Sequence, residues 1–119
     1  EYTWALREHE GGPLLGVIGA RAARNDVGYW LGAPHRGNGY MTEALSAIIA
    51  WLFEHGWGSI VWECVVGNRA SAAVARNAGF RFAGERPTNL GFRDGTHPPA
   101  WHGVLARDDS REPQDGWPA

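Results

Sequence analysis

The chain has 119 residues, 44% hydrophobic and 20% charged, with a formal net charge of −2. That length makes one domain with a real core and leaves no room for two. The balance excludes a dedicated nucleic-acid binder, which carries a basic excess, and the single cysteine, Cys64, excludes an internal disulfide and a cysteine-rich metal site. With no signal-peptide pattern and no apolar run of transmembrane length, cytoplasmic residence without a membrane partner is the expectation.

Tyr2 to Glu8 alternates as a strand does, placing Tyr2, Trp4 and Leu6 on one face. A turn at residues 9–13 leads into a second strand, Leu14 to Ala23, whose Gly16 and Gly19 suggest a bulge or a close backbone approach. Arg24-Asn25-Asp26 turns the chain again, and Val27 to Leu31 forms a third strand, so an antiparallel meander is predicted. His35-Arg36-Gly37-Asn38-Gly39 is a basic, glycine-punctuated turn. Met41 to Glu54 then reads as a helix, with Met41, Ala44, Leu45, Ile48, Ile49 and Leu52 on one face and His55-Gly56 closing it. Ser59 to Val66 is a mostly apolar strand containing Cys64, whose expected role is inert packing. Asn68 opens a second helix that runs to about Ala78 and ends at Gly79. Strands follow at Phe80 to Glu85 and Ala100 to Arg107, separated by a loop-rich stretch from Arg86 to Pro99. Residues 108–119, polar with two prolines, read as a disordered tail after a domain of residues 1–107. The order β-β-β-α-β-α-β-β is an α+β, mixed-sheet pattern, unlike the regular alternation of a dinucleotide fold.

Two stretches carry chemistry. Between a strand and a helix, the residues from His35 to Met41 offer backbone N–H groups and a positive dipole end, which suits a phosphate. Alone, an R-G-x-G turn is common and a tight turn is its ordinary meaning. No Gly-Lys-Ser/Thr follows, which removes a Walker loop, and a third glycine with a βαβ unit is missing, which argues against a dinucleotide fingerprint. The second stretch is Asn68-Arg69-Ala70-Ser71, closed by Gly79-Phe80. Alone, Asn68 is a helix cap and Ser71 bonds back to its own helix.

Taken together, GYWLGAPHRGNGYMTEAL (Gly28 to Leu45) and VVGNRASAAVARNAGFRFAGE (Val65 to Glu85) resemble the GNAT superfamily of acyl-CoA N-acyltransferases, and most closely its ribosomal-protein N-terminal acetyltransferase branch. The resemblance covers nearly all of residues 14–107. It implies a mainly antiparallel mixed sheet flanked by helices, in which the strand before the glycine loop and the strand before Asn68 run parallel and splay apart to admit CoA. It puts Leu31, His35, Arg36, Gly37, Asn38, Gly39, Tyr40 and Met41 on the donor, the N–H groups from about Gly37 to Met41 holding the pyrophosphate. It assigns Asn68 to the pantetheine arm or the thioester, and Ser71 to the leaving thiolate. Many members carry a tyrosine four residues before the Gly-Phe pair; Ala75 stands there in this chain, which leaves Ser71 for that role.

The acceptor amine must lose a proton, so a base is required. Asp26, just before Val27-Gly28-Tyr29, and Glu63, in the VWEC strand, are the two carboxylate candidates. Asp26 has an equally good reading as a turn residue beside Asn25. The family's opening strand and helices, which build much of the acceptor wall, have no counterpart here, so a fragment or a contribution from another chain is expected. The activity this implies is transfer of an acetyl group from acetyl-CoA, the co-substrate, to a primary amine such as a protein N-terminus or a small amine, without metal. A CoA-binding module without catalysis is the alternative. A homodimer is compatible with either, and Trp30, Trp57 or Trp101 would line its interface or an acceptor groove unless packed in the core.

Overall fold

The alternating front of the chain folds into the expected meander. A computed structural model describes residues 2–7, 10–12, 14–31, 39–89 and 94–118. Its elements are β1 (Tyr2–Leu6), β2 (Gly16–Arg21), β3 (Asp26–Leu31), α1 (Tyr40–Glu54), β4 (Ser59–Val65), α2 (Arg69–Asn77), β5 (Arg81–Pro87) and β6 (Pro99–Ala106). They form one sheet in the order β1-β2-β3-β4-β6-β5, antiparallel at every junction except β3–β4. The β2 glycines make no bulge: register runs unbroken through both neighbours, and a Cβ on Gly19 would meet only the Tyr2 carbonyl oxygen at 3.8 Å. The irregular step lies in β5, between Phe82 and Gly84.

Side-chain alternation divides the sheet into two faces. Ile18, Ala20, Val27, Ile60, Trp62, Trp101 and Leu105 belong to one buried core with Met41, Leu45, Ile48, Ile49, Leu52 and Phe53 of α1 and Ala72 and Ala75 of α2. The residues between them in the strands, such as Val61, Glu63, His102 and Val104, point to the other face. On that side Trp30 is 56% exposed and Val65 40% exposed.

The helix α1 forms where its apolar spacing predicts, with Glu43 in its first turn, and Gly56 at φ +96° follows its end. Its first residue is preceded by Gly39 in the left-handed region (φ 77°, ψ 0°), with no side chain capping the helix. In α2 the cap is a side chain: Asn68 Oδ1 accepts the Ser71 N–H at 3.2 Å. That helix stops at Gly79, whose φ of +102° suits glycine and whose missing side chain leaves room for the Arg111 backbone.

Residues 108–118 are not a disordered tail. Asp109 accepts from Arg81 at 3.0 Å and from the Ala106 N–H at 2.8 Å, turning the chain back. Trp117 then packs against Trp62 and Phe82, with ring centroids 5.5 and 5.4 Å away, and donates its indole N–H to the Phe80 carbonyl at 3.1 Å. One aromatic anchor outweighs the polar composition around it.

A forked sheet with a candidate active site

The parallel pairing of β3 with β4 is confined to two positions, Asp26 opposite Val61 and Val27 opposite Trp62. Beyond them β3 continues to Leu31 and β4 to Val65 with no pairing to each other. Each strand stays tied to its outer neighbour along this stretch, β3 to β2 as far as Leu31 and β4 to β6 as far as Val65. The sheet therefore forks from Gly28 and Glu63 onward, and the two inner edges leave backbone N–H and C=O groups facing a gap.

Hydrogen-bond donors gather on the helix side of the fork. The Tyr29 hydroxyl, from β3, donates to the Ser71 carbonyl at 2.7 Å. From β4, the Cys64 thiol points to the Asn68 carbonyl, 3.7 Å away. Burial pushes the Tyr29 phenol well above its ordinary value, with its bond to Ser71 opposing. The Cys64 thiol is pushed up to about 11 by burial first and the Glu63 charge second, the Ser71 side chain opposing. Near neutral pH both groups stay protonated. Their hydrogens are directed at the Ser71 and Asn68 carbonyl oxygens, and Cys64 is not a nucleophile.

A carboxylate and an imidazole stand on the other face. Glu63 accepts the Asn89 N–H on both oxygens, at 3.1 and 3.2 Å. Directly across the β4–β6 ladder is His102, 5% exposed, whose Nε2 lies 4.0 Å from Glu63 Oε2 and 3.3 Å from the Arg86 carbonyl oxygen. These residues line a cavity of about 210 Å³, together with Gly28 and the Arg21–Asp26 pair.

The sequence candidates thus fall into distinct places. Asp26 lines the cavity, but its two oxygens accept from Arg21 Nε and Nη2 at 2.9 and 2.8 Å, across the β2–β3 ladder. It sits on the paired side of the fork and is held there in an ion pair with Arg21. Glu63 stands at the vertex. Ser71 lies at the donor cluster, and Asn68 performs the capping that its position alone suggests. Gly39, Tyr40 and Met41 form the entry to α1, at the positive end of its dipole. Leu31 ends β3; His35, Arg36, Gly37 and Asn38 lie outside the described residues. Trp101 is buried at 6% exposure and Trp57 packs against the core, which leaves Trp30 as the exposed member of that trio. Sequence reasoning missed Tyr29 and His102. Strand alternation in GYWL and AWHGVLAR carries their facing, while the cross-strand register that gives them partners is not local.

Among the described residues no helix is long and apolar enough to cross a membrane, and no three His, Cys, Asp or Glu side chains gather as a metal site.

Residues 1–81 match the family model of the acetyltransferase (GNAT) domain. The chain belongs to the GNAT acetyltransferase family. A search of curated protein sequences finds no match. Solved structures agree with the family. A candidate ribosomal-protein-serine acetyltransferase from Vibrio cholerae superposes with a TM-score of 0.75 at 24% identity, over 88% of this chain and 63% of that one. The ribosomal-protein-S5-alanine acetyltransferase of Vibrio fischeri gives 0.67 at 25% identity, over 84% and 57% of the two chains. The microcin C7 self-immunity acetyltransferase MccE, solved with acetyl-CoA and AMP, gives 0.66 at 26% identity, over 80% and 56%. The GNAT chain described here thus spans about three fifths of the length of these structures.

Proposed function

We propose that this GNAT domain moves the acetyl group of acetyl-CoA to a primary amine by direct attack, with no covalent enzyme intermediate. The observation that carries the reading is the fork, with proton donors on one side and a proton acceptor on the other. The pyrophosphate would meet the first-turn N–H groups of α1 behind Gly39, where the dipole end favours an anion. The pantetheine arm would lie along the inner edges, where N–H and C=O groups left unpaired across the fork match its amides. At the thioester, the Ser71 hydroxyl would hydrogen-bond the sulfur as its charge develops, with backbone N–H groups of the fork polarising the carbonyl. Tyr29 holds Ser71 in place from the opposite strand.

The amine would approach from the face carrying Glu63 and His102, where the cavity opens beside the vertex. Of the two carboxylate candidates, Asp26 carries Arg21, while Glu63 has no arginine on it among the described residues. Calorimetry with acetyl-CoA, followed by thiol release across a panel of N-terminal peptides, polyamines and aminoglycosides, tests the reading. Binding with turnover on at least one amine is the expected result. Binding without turnover would leave a CoA-binding module, and no binding would refute both.

A further inference from the structure

His102 presents an imidazole in the middle of a sheet, 5% exposed, on the face away from α1 and α2. Its Nε2 lies 3.3 Å from the Arg86 carbonyl oxygen. A carbonyl oxygen can only accept, so Nε2 carries the hydrogen and the basic lone pair of the neutral ring is on Nδ1. Beside that same N–H, at 4.0 Å, is an oxygen of Glu63, and Glu63 is itself held by the Asn89 amide on both oxygens. An imidazole whose N–H side faces a carbonyl and an anchored carboxylate has its tautomer and ring orientation fixed. Glu63 and His102 are direct cross-strand partners, so the pair is mounted on rigid backbone at the fork's vertex.

We propose that His102 is the base of the acetyl transfer and that Glu63 acts through it as a positioning residue. This inference rests on the acetyltransferase reading given above. In the step, the amine lone pair forms the N–C bond at the acetyl carbon, and the C–S bond breaks with its electron pair kept by sulfur. The proton on the attacking nitrogen goes to Nδ1 of His102, and its bonding pair stays on nitrogen. His102 then returns the proton to water in the cavity, and the CoA thiolate takes one from water. No oxidant or further reactant is needed. A purely structural His102 would need only its N–H bond to Arg86, and glutamine can supply that.

The experiment compares the intact wild-type chain with His102→Gln, His102→Ala and Glu63→Gln, on whichever panel amine turns over fastest. His102→Gln should lower kcat about 100-fold or more with KM for acetyl-CoA unchanged, the usual scale for losing a general base. Added imidazole should restore part of the His102→Ala rate. Glu63→Gln should cost only about 10-fold, as expected of a group that orients another. A His102→Gln rate within threefold of wild type overturns the proposal, as does a Glu63→Gln loss larger than the His102→Gln loss. If the His102 variants do not fold, Glu63→Gln decides: an unchanged kcat removes the pair, and a loss beyond about 100-fold makes Glu63 itself the base. A wild-type chain that acetylates no amine refutes acetyl transfer. Turnover independent of His102 refutes the base assignment alone.

Discussion

Gly39→Asp separates folding from donor binding at a single position. Gly39 sits just before α1 at φ 77° and ψ 0°, with no side-chain cap of its own and, among the described residues, nothing within 4 Å of where a Cβ would stand. A side chain there meets no clash, only the left-handed backbone, at about 1–2 kcal/mol, with Asp at the lower end. The carboxylate would lie at the positive end of the α1 dipole, which returns about 0.5 kcal/mol. The folded state should therefore lose about 1 kcal/mol or less, a melting shift of a few degrees. Binding is affected far more. A carboxylate at about 5 Å from a phosphate, at an effective dielectric of about 20, is repelled by about 3 kcal/mol per phosphate charge. That is at least about a hundredfold in affinity, since each 1.4 kcal/mol is about tenfold. Gly39→Ala carries the same backbone cost without the charge and should bind CoA within about tenfold of wild type. Calorimetry with CoA, paired with thermal unfolding of all three chains, reads both quantities. If Gly39→Asp binds CoA within threefold of wild type, the pyrophosphate is not at the α1 entry and the donor assignment fails.

The other predictions concern what holds the fork together. Gly79→Ala should destabilise by about 2–4 kcal/mol in urea unfolding, because φ is +102° and a Cβ would come within 2.8 Å of the Arg111 Cα. Trp117→Ala should cost about 2 kcal/mol, somewhat under the range for a fully buried tryptophan; a cost near zero would show that residues 108–118 contribute nothing to the fold. Cys64 titrates at about 11 in the folded chain against an ordinary 9.0, so folding favours its neutral thiol. That contribution is intact below about pH 9 and fades as pH rises from about 9 through 11; Cys64→Ser should flatten this part of the stability profile, and alkylation of the native thiol at pH 8 should be slow.

Local periodicity made most of the fold legible. The Met41 to Leu52 spacing, the alternation in β1, the short apolar run of β3 and the glycines after each helix all state their roles within a few residues. β5 is less legible because Phe80, apolar enough to read as a strand start, is buried at the end of α2, and the ladder begins at Arg81. Residues 108–118 were misread because average composition hides one well-placed tryptophan. The site divides along the same line. Asn68 and Ser71 are three apart on one helix, so their relation is local. The Arg21–Asp26 pair depends on which residues oppose each other across β2 and β3, and Tyr29–Ser71 joins β3 to α2. The Glu63–His102 pair depends on the register of strands that lie far apart in sequence.

Register also decides which chemistry each face receives. In β4, Trp62 and Cys64 face the helices while Glu63, between them, faces the cavity. A slip of one residue would exchange them, setting a carboxylate among the buried donors and a thiol where the amine should lose its proton. The ladder to β6, from Ser59–Ala106 to Val65–Ala100, prevents that slip along the whole of β4. The parallel contact to β3 need then hold only two positions. Because each arm of the fork is paired on its outer side, the inner edges can stay unpaired without loosening the sheet. An extended ligand with amide groups can then bond to both edges, as a missing strand would. On the acetyltransferase reading, the pantetheine arm takes that place. Its thioester then lies between the hydroxyl of Ser71 on one face and the imidazole of His102 on the other, so donor and base act from opposite sides of one carbonyl.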